Sequence, residues 1–158
     1  MDSPRTVITD TNIWIDLHRG GITTEVFKLG LLFKTPDLVA NEILSPSIAS
    51  LKRHGLDIIE LPGEKVLELL QMAWKYSRPS RPDLSTLVLA RTENAILLTG
   101  DKALRAAGEE EGIEVRGILW LLDEMVKSNI LTSSQAIAAL QKMLEEGSRL
   151  PKADCDRY

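Results

Sequence analysis

The sequence predicts an α/β protein, a three-layer α/β/α sandwich around a mainly parallel central sheet. Two observations predict it. Short apolar runs rich in β-branched residues alternate with longer stretches of helical periodicity along most of the chain, and that alternation calls for a parallel sheet with helices on both faces. The 158 residues are 44% hydrophobic and carry no internal repeat or low-complexity linker, enough for one full core. A single domain over 1–158 is therefore expected, with its core at about 6–125, a C-terminal helix at about 132–147 and, apart from Leu150, a loose tail at 148–158.

The elements follow in order. Thr6-Val7-Ile8-Thr9 reads as a buried strand, and Thr11 to Leu17 as a short helix stopped by Gly20-Gly21. Thr23 or Thr24 can cap a second helix, from about Glu25 to Phe33, with Val26, Leu29 and Phe33 on one face. Thr35 to Val39 is extended, because Pro36 biases Thr35 away from helix. Ala40 to Leu44 is helical, and Ser45-Pro46 restarts a helix that ends at His54-Gly55. Asp57 to Leu61 is a strand closed by Pro62-Gly63. Glu64 to Tyr76 is a helix with an apolar stripe of Val66, Leu67, Leu69, Leu70, Ala73 and Trp74. Breakers fill Ser77 to Pro82. Asp83 to Asn94 is a helix, Ala95 to Thr99 a strand, Lys102 to Glu111 a helix stopped by Gly112. Ile113 to Arg116 is the last strand and Gly117 to Lys127 a helix. Thr132-Ser133-Ser134 caps the final helix, which runs to about Glu146-Gly147.

Composition narrows the function. The net charge of −4 is no phosphate-neutralising surface, so contact with nucleic acid has to come from a local basic patch. One cysteine, Cys155, excludes an internal disulfide and fits a reducing compartment. His18 and His54 have no zinc-ligand spacing to each other or to Cys155. MDSPRT holds no signal-peptide core, and no apolar run approaches the roughly 20 residues of a membrane helix. A soluble cytoplasmic protein without a membrane segment is the expectation.

In open parallel sheets, ligands bind beyond the carboxyl ends of the strands. Asp10 follows Val7-Ile8-Thr9 and Asp101 follows Leu97-Leu98-Thr99-Gly100. Glu42 and Asp83 fall on first turns of helices that would start at the same edge. Four acids gathered there repel one another. A hard divalent cation with oxygen ligands, Mg2+ or Mn2+, relieves the repulsion and can activate a water for attack on a phosphodiester. Asn12, Thr99 and Ser85 stand close in sequence as neutral groups that could orient a carboxylate or a water. Arg78, Arg81, Lys102 and Arg105 lie near that edge as candidate phosphate contacts. Each acid also has a plainer reading, Asp10 and Asp83 as helix caps, Asp101 as a turn or cap residue and Glu42 as a surface acid. Asp16 and Asp37 are read as solvent-facing or turn residues. The three tryptophans are read as core or dimer-interface residues.

TDTNIWIDL, DLVANEIL and RPDLSTLVLARTENAILLTGDKALR together resemble the PIN domain family, metal-dependent ribonucleases that include the VapC-type toxins. The family's first Asp, followed by a small residue and Ser, Thr or Asn, matches Asp10-Thr11-Asn12. Its Glu near a helix start matches Glu42, its Asp opening a helix matches Asp83, and its Asp after a strand ending T-x-D matches Asp101. The resemblance covers about residues 6–125, and the remaining helical segment is similar to that of a subgroup with an extra C-terminal helix. It implies an endoribonuclease holding one or two Mg2+ or Mn2+ ions on Asp10, Glu42, Asp83 and Asp101, with RNA as substrate. The apolar faces of the first helices suggest a homodimer, which the resemblance also implies, and an antitoxin would be a protein partner if the chain is half of a toxin–antitoxin pair. The further acid that some members carry after the last aspartate is replaced here by the stretch Lys102 to Arg105. A haloacid-dehalogenase-type phosphatase would need a second Asp where Asn12 stands. The competing reading from another class is a non-catalytic PIN-like module that binds RNA or protein.

Overall fold

The computed structural model describes residues 4–150. It is built outwards from β1 (Thr6–Thr9), which pairs in parallel with β2 (Leu32–Pro36) on one side and β4 (Ile96–Leu98) on the other. β3 (Asp57–Ile59) adds beyond β2 and β5 (Val115–Arg116) beyond β4, giving the order β3-β2-β1-β4-β5 with every pair parallel. The first three strands step one way across the sheet and the last two step the other way from β1. The order therefore reverses between β1 and β4, and a crevice opens there at the carboxyl edge.

Side chains alternate across a strand, so the two middle residues of β1 serve different layers. Val7 enters a core built with α1 (Thr11–Arg19), α2 (Thr23–Val26), α4 (Ile48–His54), α8 (Ile118–Lys127) and α9 (Ser133–Glu145). Ile8 enters the opposite core, with α5 (Gly63–Lys75), α6 (Arg81–Glu93) and α7 (Lys102–Glu110). Both residues are fully buried. This is the expected three-layer arrangement. In the first core Trp14 stacks on Phe27 at 5.4 Å between ring centroids and meets Phe33 edge-on at 5.7 Å. Such aromatic pairs add about 0.5–1.5 kcal/mol each beyond the area they bury. The Trp14 indole also donates to Thr9 Oγ1 at 2.8 Å, which fixes α1 against the end of β1.

Several boundaries differ from the sequence expectations. The second helix stops at a 3-10 turn, Phe27–Leu29, because Gly30 takes a left-handed φ of 75°, and Leu32 and Phe33 go into β2. Pro36 ends that strand, and Asp37–Ala40 form the short helix α3 instead of continuing extended. Glu42 consequently lies in the turn after α3, not on a helix's first turn. Ser47, not the Ser45-Pro46 pair, starts α4, its side chain accepting from Ser50 N at 3.2 Å. Asp16 is buried rather than solvent-facing, and Trp74, expected in the core or a dimer interface, is 92% exposed. Only part of the expected apolar stripe of α5 is covered. Its fully buried residues are Leu69 and Met72, while Val66, Leu67, Leu70 and Trp74 face outwards.

Ser148, placed in the expected loose tail, is instead held against the domain. Ser148 is buried and donates to Asp16 Oδ1 at 2.6 Å, Arg19 Nη1 donates to the same hydroxyl at 3.2 Å, and Leu150 packs on the core. Cys155 and the rest of the tail lie outside the described residues. No helix among the described residues is long and apolar enough to cross a membrane.

Candidate functional site

Asp10 occupies the position where β1 becomes α1. Its backbone is extended, and Oδ1 accepts from Ile13 N at 3.1 Å, so the carboxylate caps the helix. Its other oxygen, Oδ2, accepts from Thr99 Oγ1 at 2.5 Å, across the gap between β1 and β4. Thr99 Oγ1 in turn accepts from Asp101 N at 3.0 Å. One buried hydroxyl thus links the two aspartates that end neighbouring strands. A further bond, Thr35 Oγ1 to Thr9 O at 2.9 Å, braces β2 against the same strand end.

The other acids reach this edge by different routes. Asp101 caps α7, with Oδ1 accepting from Leu104 N at 2.9 Å. Asp83 sits in a capping box with Ser80, each side chain accepting from the other's backbone N–H at 3.2 Å. α6 leads directly into β4, and β4 runs parallel to the rest of the sheet, so a helix packed antiparallel to it begins at the carboxyl edge. Glu42 comes near through Thr11, whose hydroxyl donates to Glu42 Oε1 at 3.4 Å. Thr11 was not singled out in the sequence, although its place next to Asp10 was the available signal. Of the supporting residues, Thr99 is the bridge just described and Asn12 is exposed on the first turn of α1. Ser85 is fully buried, and its hydroxyl is committed to Pro82 O at 2.5 Å.

Electrostatics single out Asp10. Burial pushes its carboxyl from 3.8 up to about 7, against the lowering effect of the Thr99 and Ile13 bonds, and the charges of Asp83 and Asp16 push it further up. The Asp83 contribution means that the two carboxylates feel one another. Among the described residues, no three His, Cys, Asp or Glu side chains are already gathered closely enough to hold a metal ion. The chemistry of the donors nevertheless fits a hard divalent cation. All are carboxylate oxygens, and a buried carboxyl pressed by a like charge is stabilised in its ionised form by a cation. One oxygen each of Asp83 and Asp101 serves a cap while the other makes no hydrogen bond among the described residues.

The cations nominated from sequence flank this edge. Arg78 is exposed in the turn before α6, Arg81 is the first residue of α6 and Lys102 the first of α7. Arg105 lies one turn into α7. A Cβ added to Gly117 would come within 3.1 Å of Arg105 Nη2 and 3.5 Å of Thr99 O, which places that guanidinium beside the end of β4. None of these four forms an ion pair among the described residues. Arg5, Lys34, Lys65, Lys75, Arg91 and Arg116 are instead paired with carboxylates.

Comparison with known proteins agrees with this architecture. The family model DUF3368, described as a PIN domain, matches residues 6–158. Among solved structures, the chain is similar to PAE2754 from Pyrobaculum aerophilum, with a TM-score of 0.56 and 16% identity, over 77% of this chain and 90% of that one. That likeness is one of fold. No curated protein matches the chain.

Proposed function

The chain belongs to the PIN domain family, and on that premise we propose that it is a Mg2+- or Mn2+-dependent endoribonuclease hydrolysing RNA phosphodiesters at the carboxyl edge of its sheet. PIN domains are commonly nucleases and generally use divalent metals. The observation that carries the reading is the Asp10–Thr99–Asp101 link across the strand-order reversal, with Asp83 electrostatically coupled to Asp10.

In this reading Asp10, Glu42, Asp83 and Asp101 hold the ion. Bound there, the metal supplies charge stabilisation to the phosphoryl group and a more acidic coordinated water. Thr99 keeps the Asp10 carboxylate turned to the edge, and Thr11 steadies Glu42. Asn12 offers a neutral hydrogen-bonding group at the mouth of the site. Arg78, Arg81, Lys102 and Arg105 take the phosphates of the strand, a local basic rim on an acidic protein.

The test is Mn2+-dependent cleavage of a mixed RNA pool by the full chain, run beside Asp10→Asn. Cleavage by the wild type that the substitution abolishes is the expected result. No cleavage by either protein, together with no Mn2+ binding by calorimetry, would refute the reading. A cytoplasmic site of action goes with it, as does a toxin role in which an antitoxin protein would cover the carboxyl edge. The exposed apolar face of α5, with Leu67 and Trp74 at 65% and 92% exposure, is the surface we assign to a homodimer. Sedimentation of Trp74→Ser beside the wild type checks that assignment. A second reading, a non-catalytic RNA- or protein-binding PIN module, is favoured by one observation, the absence of a ready-made metal cluster among the described residues.

A further inference from the structure

A cleft of about 390 Å3 opens beside the acidic edge, between the turn that joins α5 to α6 and one face of α7. The turn supplies Lys75, Tyr76 and Arg78, and the helix supplies Lys102, Ala103 and Ala106. Its volume lies at the lower end of the roughly 300–1,000 Å3 of small-ligand clefts, which suits one nucleotide and no folded partner. The floor is low and apolar, because Ala103, Ala106 and the neighbouring Ala107 stand at i, i+3 and i+4 along one helix face.

Charge is distributed unevenly along the cleft. At one end Glu111 anchors the wall. It accepts from Lys75 Nζ at 2.8 Å and Tyr76 Oη at 2.5 Å, and its other oxygen accepts from Arg91 at 2.8 Å. Lys75 is thereby neutralised and the Tyr76 hydroxyl is occupied. At the other end stand Arg78 and Lys102, neither with an ion pair among the described residues. That end adjoins the acids, since Lys102 follows Asp101 directly and Arg78 precedes the Ser80 cap of Asp83's helix by two residues. Glu110 is the cleft's own acid, two turns along α7 from Lys102.

We propose that this cleft is the subsite for the nucleotide next to the scissile phosphate. Arg78 and Lys102 take its phosphate and the alanine face of α7 takes its base. The inference rests on the nuclease reading for which phosphate is scissile, but the cleft's affinity for a single strand can be measured without cleavage.

The experiment is fluorescence anisotropy of the full chain in EDTA, with a fluorescein-labelled octauridylate as probe. Manganese-dependent cleavage of the RNA pool is run in parallel. Ala106→Leu fills the floor at an exposed helical position, where leucine is a good helix former, and an unchanged melting curve verifies the fold. The expected result is roughly tenfold weaker binding by Ala106→Leu. Arg78→Ala should flatten the slope of log affinity against log salt by about 0.7, the value for one phosphate contact on a single strand. Equal single-strand binding by the wild type and both variants overturns the inference and leaves the nuclease reading to the cleavage assay. Failure of the wild type to bind the single strand also overturns it. Binding lost in the variants, with no cleavage by the wild type, sustains the subsite and removes the nuclease reading instead.

Discussion

Replacing Asp10 with asparagine should stabilise the metal-free protein, even though it destroys the proposed site. Burial, with the added push of Asp83 and Asp16, holds this carboxyl near 7 in the fold against 3.8 as its ordinary value. A folded pKa above the unfolded one means that the native state binds the proton more tightly, so ionisation of Asp10 costs stability. The cost is absent below pH 3.8, grows between pH 3.8 and 7, and is complete above that. Between those two values it amounts to roughly 4 kcal/mol. Asparagine keeps an oxygen for Ile13 N and presents an amide to Thr99, whose hydroxyl can turn to accept. About half of the cost should be recovered, roughly 2 kcal/mol, which in a chain of this length raises Tm by about 4–8 °C. The assay is thermal unfolding in EDTA at pH 8 and pH 4. The gain should be large at the first pH and close to zero at the second, and Mn2+ should raise the wild-type Tm while leaving the variant unmoved. An Asp10→Asn variant that melts no higher than the wild type at pH 8, or a gap identical at both pH values, would refute the reasoning.

Three other perturbations read the same structure. Thr99→Val keeps the shape but removes the hydroxyl that donates to Asp10 and accepts from Asp101 N. It should cost about 1–3 kcal/mol, raise the Asp10 carboxyl further, and move the pH–rate profile of Mn2+-dependent cleavage to higher pH. Ser148→Ala removes a donor from buried Asp16, whose carboxyl burial already pushes up. The loss, again about 1–3 kcal/mol, should be greater at pH 7 than at pH 4 in denaturant melts, because the bond favours the ionised form. Gly108→Ala would bring a Cβ within 2.7 Å of Val115 Cγ2 and 3.3 Å of Leu97 Cδ2, at the close approach of α7 to the sheet. Valine's branched side chain yields little there, so a cost of about 1–3 kcal/mol is expected, read as a lower urea midpoint at constant m-value.

The parts of this structure that were legible in the sequence are those with a local cause. Alternation of apolar strands and amphipathic helices predicts the parallel sheet, because each parallel crossover needs a helix to carry the chain back. The sequence errors fall where tertiary contacts decide. Leu32 and Phe33 continue a helical pattern with Val26 and Leu29, yet β1 offers them a backbone ladder and Gly30 releases them from the helix. Asp16 and Ser148 are 132 positions apart, and no local pattern pairs them. Trp74 fits the apolar stripe of α5, but helix periodicity reports which residues share a face, not how much of that face a neighbour covers.

The acids show the same division within single residues. From sequence, helix capping and metal ligation are rival explanations of Asp10, Asp83 and Asp101, since both want a carboxylate where a helix begins. The structure eases the rivalry for Asp83 and Asp101, where one oxygen caps and the other makes no hydrogen bond among the described residues. It sharpens it for Asp10, where both oxygens accept a bond and burial still opposes the charge. A cap needs no such burial, because an exposed aspartate satisfies the helix end equally well. The cost of burying Asp10 exceeds what capping requires, and a cation at this position would offset it.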